Sequence, residues 1–418
     1  MTERFAGMGD EAGESSPVLY AGKGARKIKV LFLTGCTGRG GAGNSLFYLL
    51  KHLDPAVLEP LVVMPNEGVL KSRLEEIRVP YRIEPRLKER LAEMRFRGRN
   101  RICTMASVVL NAVDSMRFTL DLVRIVAREN VGLIYCNQMM VKLMGTVAGM
   151  VCGTPVIWHC RTLYGKTFRG WFFNRLARSS SVVRIVAVSE ACAENFPSAK
   201  EKVQVVYNGA DLVSFNPEVV QGCVRRIYRI GPDEVVLGFV GRIVEWKGID
   251  ILLSAMKRVL ARRNDVVLVV VGGSPKRSLN LLDHYRRKVA NGRYSGRVLF
   301  TGFRTDVRPY LKDMDVTLVP SVAPDPCPRS VIESLALGTP VVGSATGGVP
   351  ELIRDGYNGL LVKPNDVAGL AETILRVIEN SELRRQMGSA ARVSAVQRHD
   401  AVEVARRVQA AILEALRS

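Results

Sequence analysis

Two carboxylates, Asp325 and Glu333, stand eight positions apart in the stretch PSVAPDPCPRSVIESLALGTPVVGSATGGVPE, Pro320 to Glu351. Pro326 and Pro328 lie between them and exclude one continuous helix through both. Asp325 therefore belongs to a loop, and a helix is expected from near Pro328, a residue that suits a first helical position. Glu333 then falls in the early turns of that helix. Gly338 ends it, and Thr339-Pro340 forbids continuation. The run PVVGS reads as a short buried strand, and TGG as a tight turn before a second helix at Pro350. Two carboxylates, two helix N-termini and a glycine loop thus converge at the carboxyl ends of parallel strands, where open α/β sheets bind ligands. Helix N-termini favour anions. A carboxylate beside them suits neutral hydroxyls on an anionic ligand, and a nucleotide sugar has both features.

Other residues fit the same chemistry. Arg242 and Lys247, in GRIVEWKG, flank a turn between a strand and a helix, where cations can stabilise a departing diphosphate. Backbone amides near Gly347 and Gly348 can add donors as a nest. His159 follows the strand PVIW and precedes Cys160-Arg161. His52, His284 and His399 sit in polar helical contexts and read as surface. One competing signal comes early. Gly38, Gly40 and Gly43 satisfy G-x-G-x-x-G after the strand Ile28 to Thr34, as in an NAD-dependent oxidoreductase. The acid expected at the end of the second strand is missing there, since LVVMPNEG offers only Glu67, beyond Pro65. No carboxylate pair is placed to attack and protonate, as a retaining hydrolase needs. Asp313-Met314-Asp315 has D-x-D spacing but opens a strand with an apolar interior, so no metal site is expected.

The segment DPCPRSVIE resembles the E-x7-E signature of retaining glycosyltransferases of family 4, also called group 1, with Asp325 where the family usually has Glu. TGGVPELIRDGYNGLLV resembles the family's glycine loop and following hairpin. VSE at Val188 to Glu190 and YNGADLVSF from Tyr207 to Phe215 resemble the end of its N-terminal domain. The resemblance covers about residues 27–395. It implies the GT-B fold, two Rossmann-like parallel-sheet domains facing across a cleft. It also implies Arg242 and Lys247 at the diphosphate, Glu333 on the ribose hydroxyls, and Asp325 and His159 at the donor sugar. Gly40 and Gly41 would lie close to donor and acceptor, and Arg329 would face the phosphates. The implied activity moves a sugar from a UDP- or GDP-sugar to a glycan or lipid-linked acceptor, in cell-surface polysaccharide or glycolipid synthesis. The leaving phosphate would take the acceptor proton, with neither metal nor cofactor. A sugar-nucleotide epimerase of the same fold is the nearer rival.

The elements that must position these residues follow from length and rhythm. At 418 residues and 47% apolar, the chain suits two domains with a core each. Strands alternate with helical stretches, which predicts parallel sheets with right-handed crossovers. The expected divisions are a disordered leader over 1–26, an acceptor-side domain over 27–215, a linker over 216–232, a nucleotide-sugar domain over 233–395, and a helix over 396–418 packing back on the first domain. The segment MMVKLMGTVAGMVCG reads as a helix apolar enough to be largely buried. The net charge of +20 points to polyanionic partners. Nucleic acid is disfavoured, because aromatics are 6% and basic residues spread over both domains. A basic segment from Arg82 to Arg101, with Leu87, Leu91, Met94 and Phe96 interspersed, suits an anionic membrane surface. The cysteines form no C-x-x-C and read as reduced. No apolar run is long enough to span a bilayer, and the N-terminus is unlike a signal peptide. The expected location is cytoplasmic, peripheral at the inner face of the membrane.

Overall fold

Short runs rich in Val, Ile and Leu, each followed by an amphipathic stretch, are the pattern of strands buried on both faces by crossover helices. A computed structural model of the protein describes residues 27–35, 40–87, 101–274, 279–290, 294 and 296–417. The expected leader, Gly38, and all of the basic segment between 88 and 100 lie outside them.

The first half runs β1 (Ile28–Leu33), α1 (Gly41–Lys51), β2 (Leu58–Met64), α2 (Val69–Glu76), β3 (Tyr81–Ile83), α3 (Arg101–Arg128), β4 (Leu133–Cys136), α4 (Met139–Cys152), β5 (Val156–Cys160), α5 (Phe168–Leu176), β6 (Val182–Ala187), α6 (Glu190–Ala193) and β7 (Val203–Val205). The second runs α7 (Val224–Tyr228), β8 (Val235–Val240), α8 (Ile249–Leu260), β9 (Val266–Val271), α9 (Leu279–Ala290), β10 (Val298–Gly302), α10 (Arg308–Lys312), β11 (Val316–Val319), α11 (Arg329–Ala336), β12 (Val341–Ser344), α12 (Val349–Leu352), β13 (Gly359–Val362), α13 (Val367–Glu379), α14 (Ser381–Arg398) and α15 (Ala401–Ala415).

Two sheets result, ordered β3-β2-β1-β4-β5-β6-β7 and β10-β9-β8-β11-β12-β13. All their strand pairs are parallel. The order reverses beside β1 in the first sheet and beside β8 in the second. Such switch points open a crevice at the carboxyl ends of the strands.

α15 buries Ala405, Val408, Ala411, Ile412 and Ala415 with Val30, Phe32 and Leu46 of the first sheet and α1. The chain thus passes from first unit to second near Asp211 and returns near Asp400. The two passages pair side by side. The Ala210 amide donates to the His399 carbonyl at 2.8 Å, and the Ala401 amide to the Ala210 carbonyl at 2.9 Å.

Four sequence expectations are corrected. The hairpin expected over Asn358 to Val362 is absent: Gly356 donates to the Gly359 carbonyl in a tight turn, and Gly359–Val362 is β13, which joins β12 in parallel. The stretch 216–232 holds α7 and is fastened to the second unit, with the Cys223 amide on the Pro309 carbonyl and Arg225 on Asp315. His399 is 1% exposed, not a surface residue. α4, expected to be largely buried, is exposed at Leu143, Val147, Met150 and Val151.

Candidate active site

The central helix α11 begins where sequence reasoning placed it, with Pro328 as its N-cap residue. Glu333 lies one turn inside. Arg329 Nε and Nη2 both bond Glu333 Oε1, at 3.1 and 2.9 Å. Both side chains are buried, so the pair is shielded from the screening that weakens surface ion pairs. Arg329 also reaches across the cleft. Its Nη1 donates to the Gly209 carbonyl at 2.9 Å and to Ser45 Oγ at 3.3 Å, and its guanidinium lies over the Tyr48 ring. Gly41, at the start of α1, faces the same side chain; a Cβ there would meet Arg329 Cδ at 3.4 Å. Gly40 is the N-cap of α1. Arg329 therefore joins the two units here, in addition to any part it takes at a phosphate.

Asp325 and Lys247 form a second buried pair, Nζ to Oδ2 at 2.5 Å. Each comes from a loop at the carboxyl end of a strand, β11 for Asp325 and β8 for Lys247. The turn before α8 requires Gly248: its φ is +74°, and a Cβ would collide with the Pro320 carbonyl oxygen. That contact brings the two loops together, helped by the Val322 amide on the Trp246 carbonyl at 2.9 Å. The Trp246 ring carries Lys247 Nζ at 4.8 Å and the Arg242 guanidinium at 5.8 Å. Arg242 is exposed. The two cations thus lie at one aromatic ring beside Asp325.

Gly347 has φ +59° and bridges to Asp325. The Gly348 amide donates to the Asp325 carbonyl at 2.8 Å. Its N–H is therefore engaged in holding the carboxylate loop, whereas sequence reasoning had it as a ligand donor.

His159 stands on the first unit, at the carboxyl end of β5. Its Nδ1 lies 2.5 Å from the Tyr135 hydroxyl and 3.2 Å from Arg161 Nη2. A guanidinium can only donate, so Nδ1 is the acceptor and the ring proton is on Nε2. Burial holds the imidazole well below its usual pKa, and Arg161 and Lys142 push it further down. The ring is neutral at pH 7. Nε2 is buried and has no hydrogen-bond partner among the described residues. His159, Arg161, Ser45, Tyr48 and Asn208 line one small cavity of the first unit, closed on its other side by Ala401, Val404 and Val408 of α15.

Asn208, in YNGAD, was missed. Its Oδ1 accepts from Arg161 Nη1 at 2.7 Å and Ser45 Oγ at 3.0 Å, and its Nδ2 donates to the Cys327 carbonyl at 3.1 Å. Glu351, also missed, accepts from the Glu190 and Ala191 amides at 2.7 and 3.0 Å, capping α6 of the opposite unit. Their signals, Y-N-G and G-V-P-E, sit inside YNGADLVSF and TGGVPELIRDGYNGLLV, where other residues drew the attention. The rival NAD reading finds Glu67 exposed and paired with Lys71. Among the described residues no group of three or more His, Cys, Asp or Glu could hold a metal ion.

Two parallel-sheet units with facing carboxyl ends and buried polar pairs between them are the GT-B arrangement of a glycosyltransferase. A family model for glycosyl transferases group 1 matches residues 224–394, and one for glycosyltransferase family 4 matches residues 39–214. The chain belongs to this family. It is 28% identical to an uncharacterized glycosyltransferase of Methanocaldococcus jannaschii, over 59% of this chain and 66% of that one. It is 22% identical to the Escherichia coli UDP-Gal:alpha-D-GlcNAc-diphosphoundecaprenol alpha-1,3-galactosyltransferase, over 66% and 73%. The chain spans two-thirds or less of the length of the first curated relatives it matches. Among solved structures it is similar to Anabaena HepE in complex with UDP-glucose, with TM-score 0.74 and 23% identity, over 93% of this chain and all of that one.

Proposed function

We propose that this glycosyltransferase moves a sugar from a nucleotide diphosphate sugar to a glycan or lipid-linked acceptor with retention at the anomeric carbon. The observation that carries the reading is the constellation around Asp325. Lys247 is paired with it, and Arg242 and Lys247 both lie at the Trp246 ring. Glu333 is one helical turn into α11, and neutral His159 stands on the opposite unit, linked through Arg161 and Asn208 to the Cys327 carbonyl. HepE was crystallised with UDP-glucose, and the E. coli relative is named for UDP-Gal and a diphosphoundecaprenol carrier. Both support a UDP-sugar donor, and the second a lipid-borne acceptor.

In the proposed reaction the bond from the anomeric carbon to the diphosphate oxygen breaks. The acceptor oxygen forms its bond to the same face of that carbon, and its proton passes to the leaving phosphate. Lys247 and Arg242 stabilise the charge that develops there. Glu333 holds the ribose diol, accepting from both hydroxyls. Asp325 orients the donor sugar, and His159 Nε2–H donates to a sugar oxygen. Neither a metal nor a cofactor takes part. The acceptor belongs to polysaccharide or glycolipid synthesis on the inner face of the membrane, reached in part through the basic segment 82–101.

The test is a thermal-shift panel of UDP-, GDP- and ADP-sugars, since a bound donor stabilises the fold by mass action. The stabilising donor is then used for transfer with EDTA present, and the anomeric configuration of the product is read by NMR. Stabilisation by no nucleotide sugar rejects the donor assignment. An inverted product rejects retention, and loss of activity with EDTA rejects metal independence.

A further inference from the structure

The outer face of the first unit carries a surface that the reaction does not use. The connections β3 to β4, β4 to β5 and β5 to β6 all advance in one direction across the sheet. Right-handed crossovers therefore place α3, α4 and α5 on the same face, opposite the face that α15 covers. The exposed positions of α4 are Leu143, Val147, Met150 and Val151, all apolar. A helix on a water-facing surface normally carries polar residues there. Beside it, at the start of α5, Phe168 is 79% and Trp171 61% exposed, and their rings stack at 5.5 Å. α4 and α5 both begin at the carboxyl edge of the sheet, so Leu143 and the aromatic pair lie toward the cleft.

Charge identifies the occupant. From Asn130 to Ser189 the chain has no Asp or Glu. The exposed charges on and around α5 are Lys166, Arg169, Arg175 and Arg178. A second copy of the chain would bring the same cations against this face, and like charges repel. An apolar helix face with a Trp–Phe pair, set in a stretch whose charges from 130 to 189 are all cationic, matches the boundary between anionic headgroups and acyl chains.

We infer that the α4–α5 face docks on an anionic lipid bilayer, with Phe168 and Trp171 inserted at headgroup level and the adjacent cations on the lipid phosphates. The inference rests on the reading of the acceptor as lipid-borne, since docking this face holds the cleft beside the membrane. It is distinct from the segment 82–101.

Two variants test it, Phe168→Ser/Trp171→Ser and Lys166→Glu/Arg169→Glu. Co-sedimentation is measured with vesicles of phosphatidylglycerol and phosphatidylcholine, and with phosphatidylcholine alone. The parent protein should bind the anionic vesicles at low salt, less at high salt, and the neutral vesicles weakly. Its tryptophan emission should shift to the blue on binding. Each variant should lose about tenfold or more in vesicle affinity, while UDP affinity and melting temperature stay as in the parent. Equal binding by parent and variants, or binding by none, overturns the inference. So does a parent dimer in sedimentation velocity that Phe168→Ser/Trp171→Ser dissociates, which would make the face a contact between copies. If UDP fails to bind the parent, the donor reading has failed and the vesicle result stands by itself.

Discussion

Lys247 cannot serve Asp325 and a donor diphosphate equally, and this competition yields a pair of opposed outcomes. Its Nζ donates to Asp325 at 2.5 Å, with side-chain exposures of 11% and 9%. In the proposed role, Lys247→Gln removes a charge-assisted bond to the diphosphate, about 1.5–3 kcal/mol, which is roughly a ten- to hundredfold rise in the Kd for UDP. Asp325→Asn leaves the lysine charge in place and removes its rival partner. UDP should then bind as tightly as to the parent or more tightly, while sugar transfer falls. Stability adds a second reading. Removing one member of a buried ion pair costs about 3–5 kcal/mol, because a charge is left without compensation. Lys247→Gln should therefore melt well below the parent, and adding Asp325→Asn to it should recover much of the loss. Calorimetric titration with UDP and thermal unfolding of the three variants measure both. Equal weakening of UDP by Asp325→Asn and Lys247→Gln, or a double variant no more stable than Lys247→Gln, would refute the reasoning.

Asp325→Glu restores the residue usual in the family, and it should retain transfer or change the preferred donor sugar. Activity as low as that of Asp325→Ala with every donor tried would contradict this. Glu333→Gln should raise the Kd for UDP at least tenfold and affect free uracil little, as competition binding can show. An unchanged Kd removes the ribose role. Burial, followed by Arg398, pushes the His399 pKa down to about 4. The unfolded chain takes up this proton near the ordinary 6.5, so between those limits it binds more protons than the folded protein. Stability is thus full above pH 6.5 and is lost as pH falls toward 4, by about 3 kcal/mol for this group. Melting curves from pH 7 to 4.5 should show the decline, and His399→Asn should flatten it.

The parts of the molecule legible in the sequence are those written in local signals. Pro328, Gly338 and Thr339-Pro340 punctuate α11, and the apolar runs of β8, β9 and β11 could only be buried strands. The GT-B class followed from these signals and the motif. The direction of β13 was not legible, because a turn at Tyr357-Asn358-Gly359 can feed either an antiparallel or a parallel strand. The exposure of α4 was not legible either, because Leu, Val and Met show how apolar a helix is without showing what lies against it. Asp325 and Lys247 were both singled out, but not as partners. They lie 78 residues apart, and their loops are joined by long-range contacts, the packing of Gly248 on the Pro320 carbonyl and the Val322 amide on the Trp246 carbonyl. Asn208 escaped because its partners, Ser45, Arg161 and Cys327, are distant in the chain, and His399 because the returning chain buries it against Tyr207 and Asn208.

The paired passages at Ala210 and Asp400 constrain how the units can move. Two well-separated connections would resist rotation between the units, and one connection would leave it undirected. Here both strands of the connection are hydrogen-bonded to each other, and Gly209 lies so close to Ala401 that a Cβ would meet its Cα at 2.8 Å. They form one paired connection, the geometry in which domains turn about a single hinge, and Glu351 adds a separate contact between the units at the start of α6. The same geometry makes residues 211–399 a cassette inserted into the first unit. Exchanging the nucleotide-sugar module with that of a relative would mean cutting at both passages together, and a graft cut at only one would leave α15 covering the wrong partner.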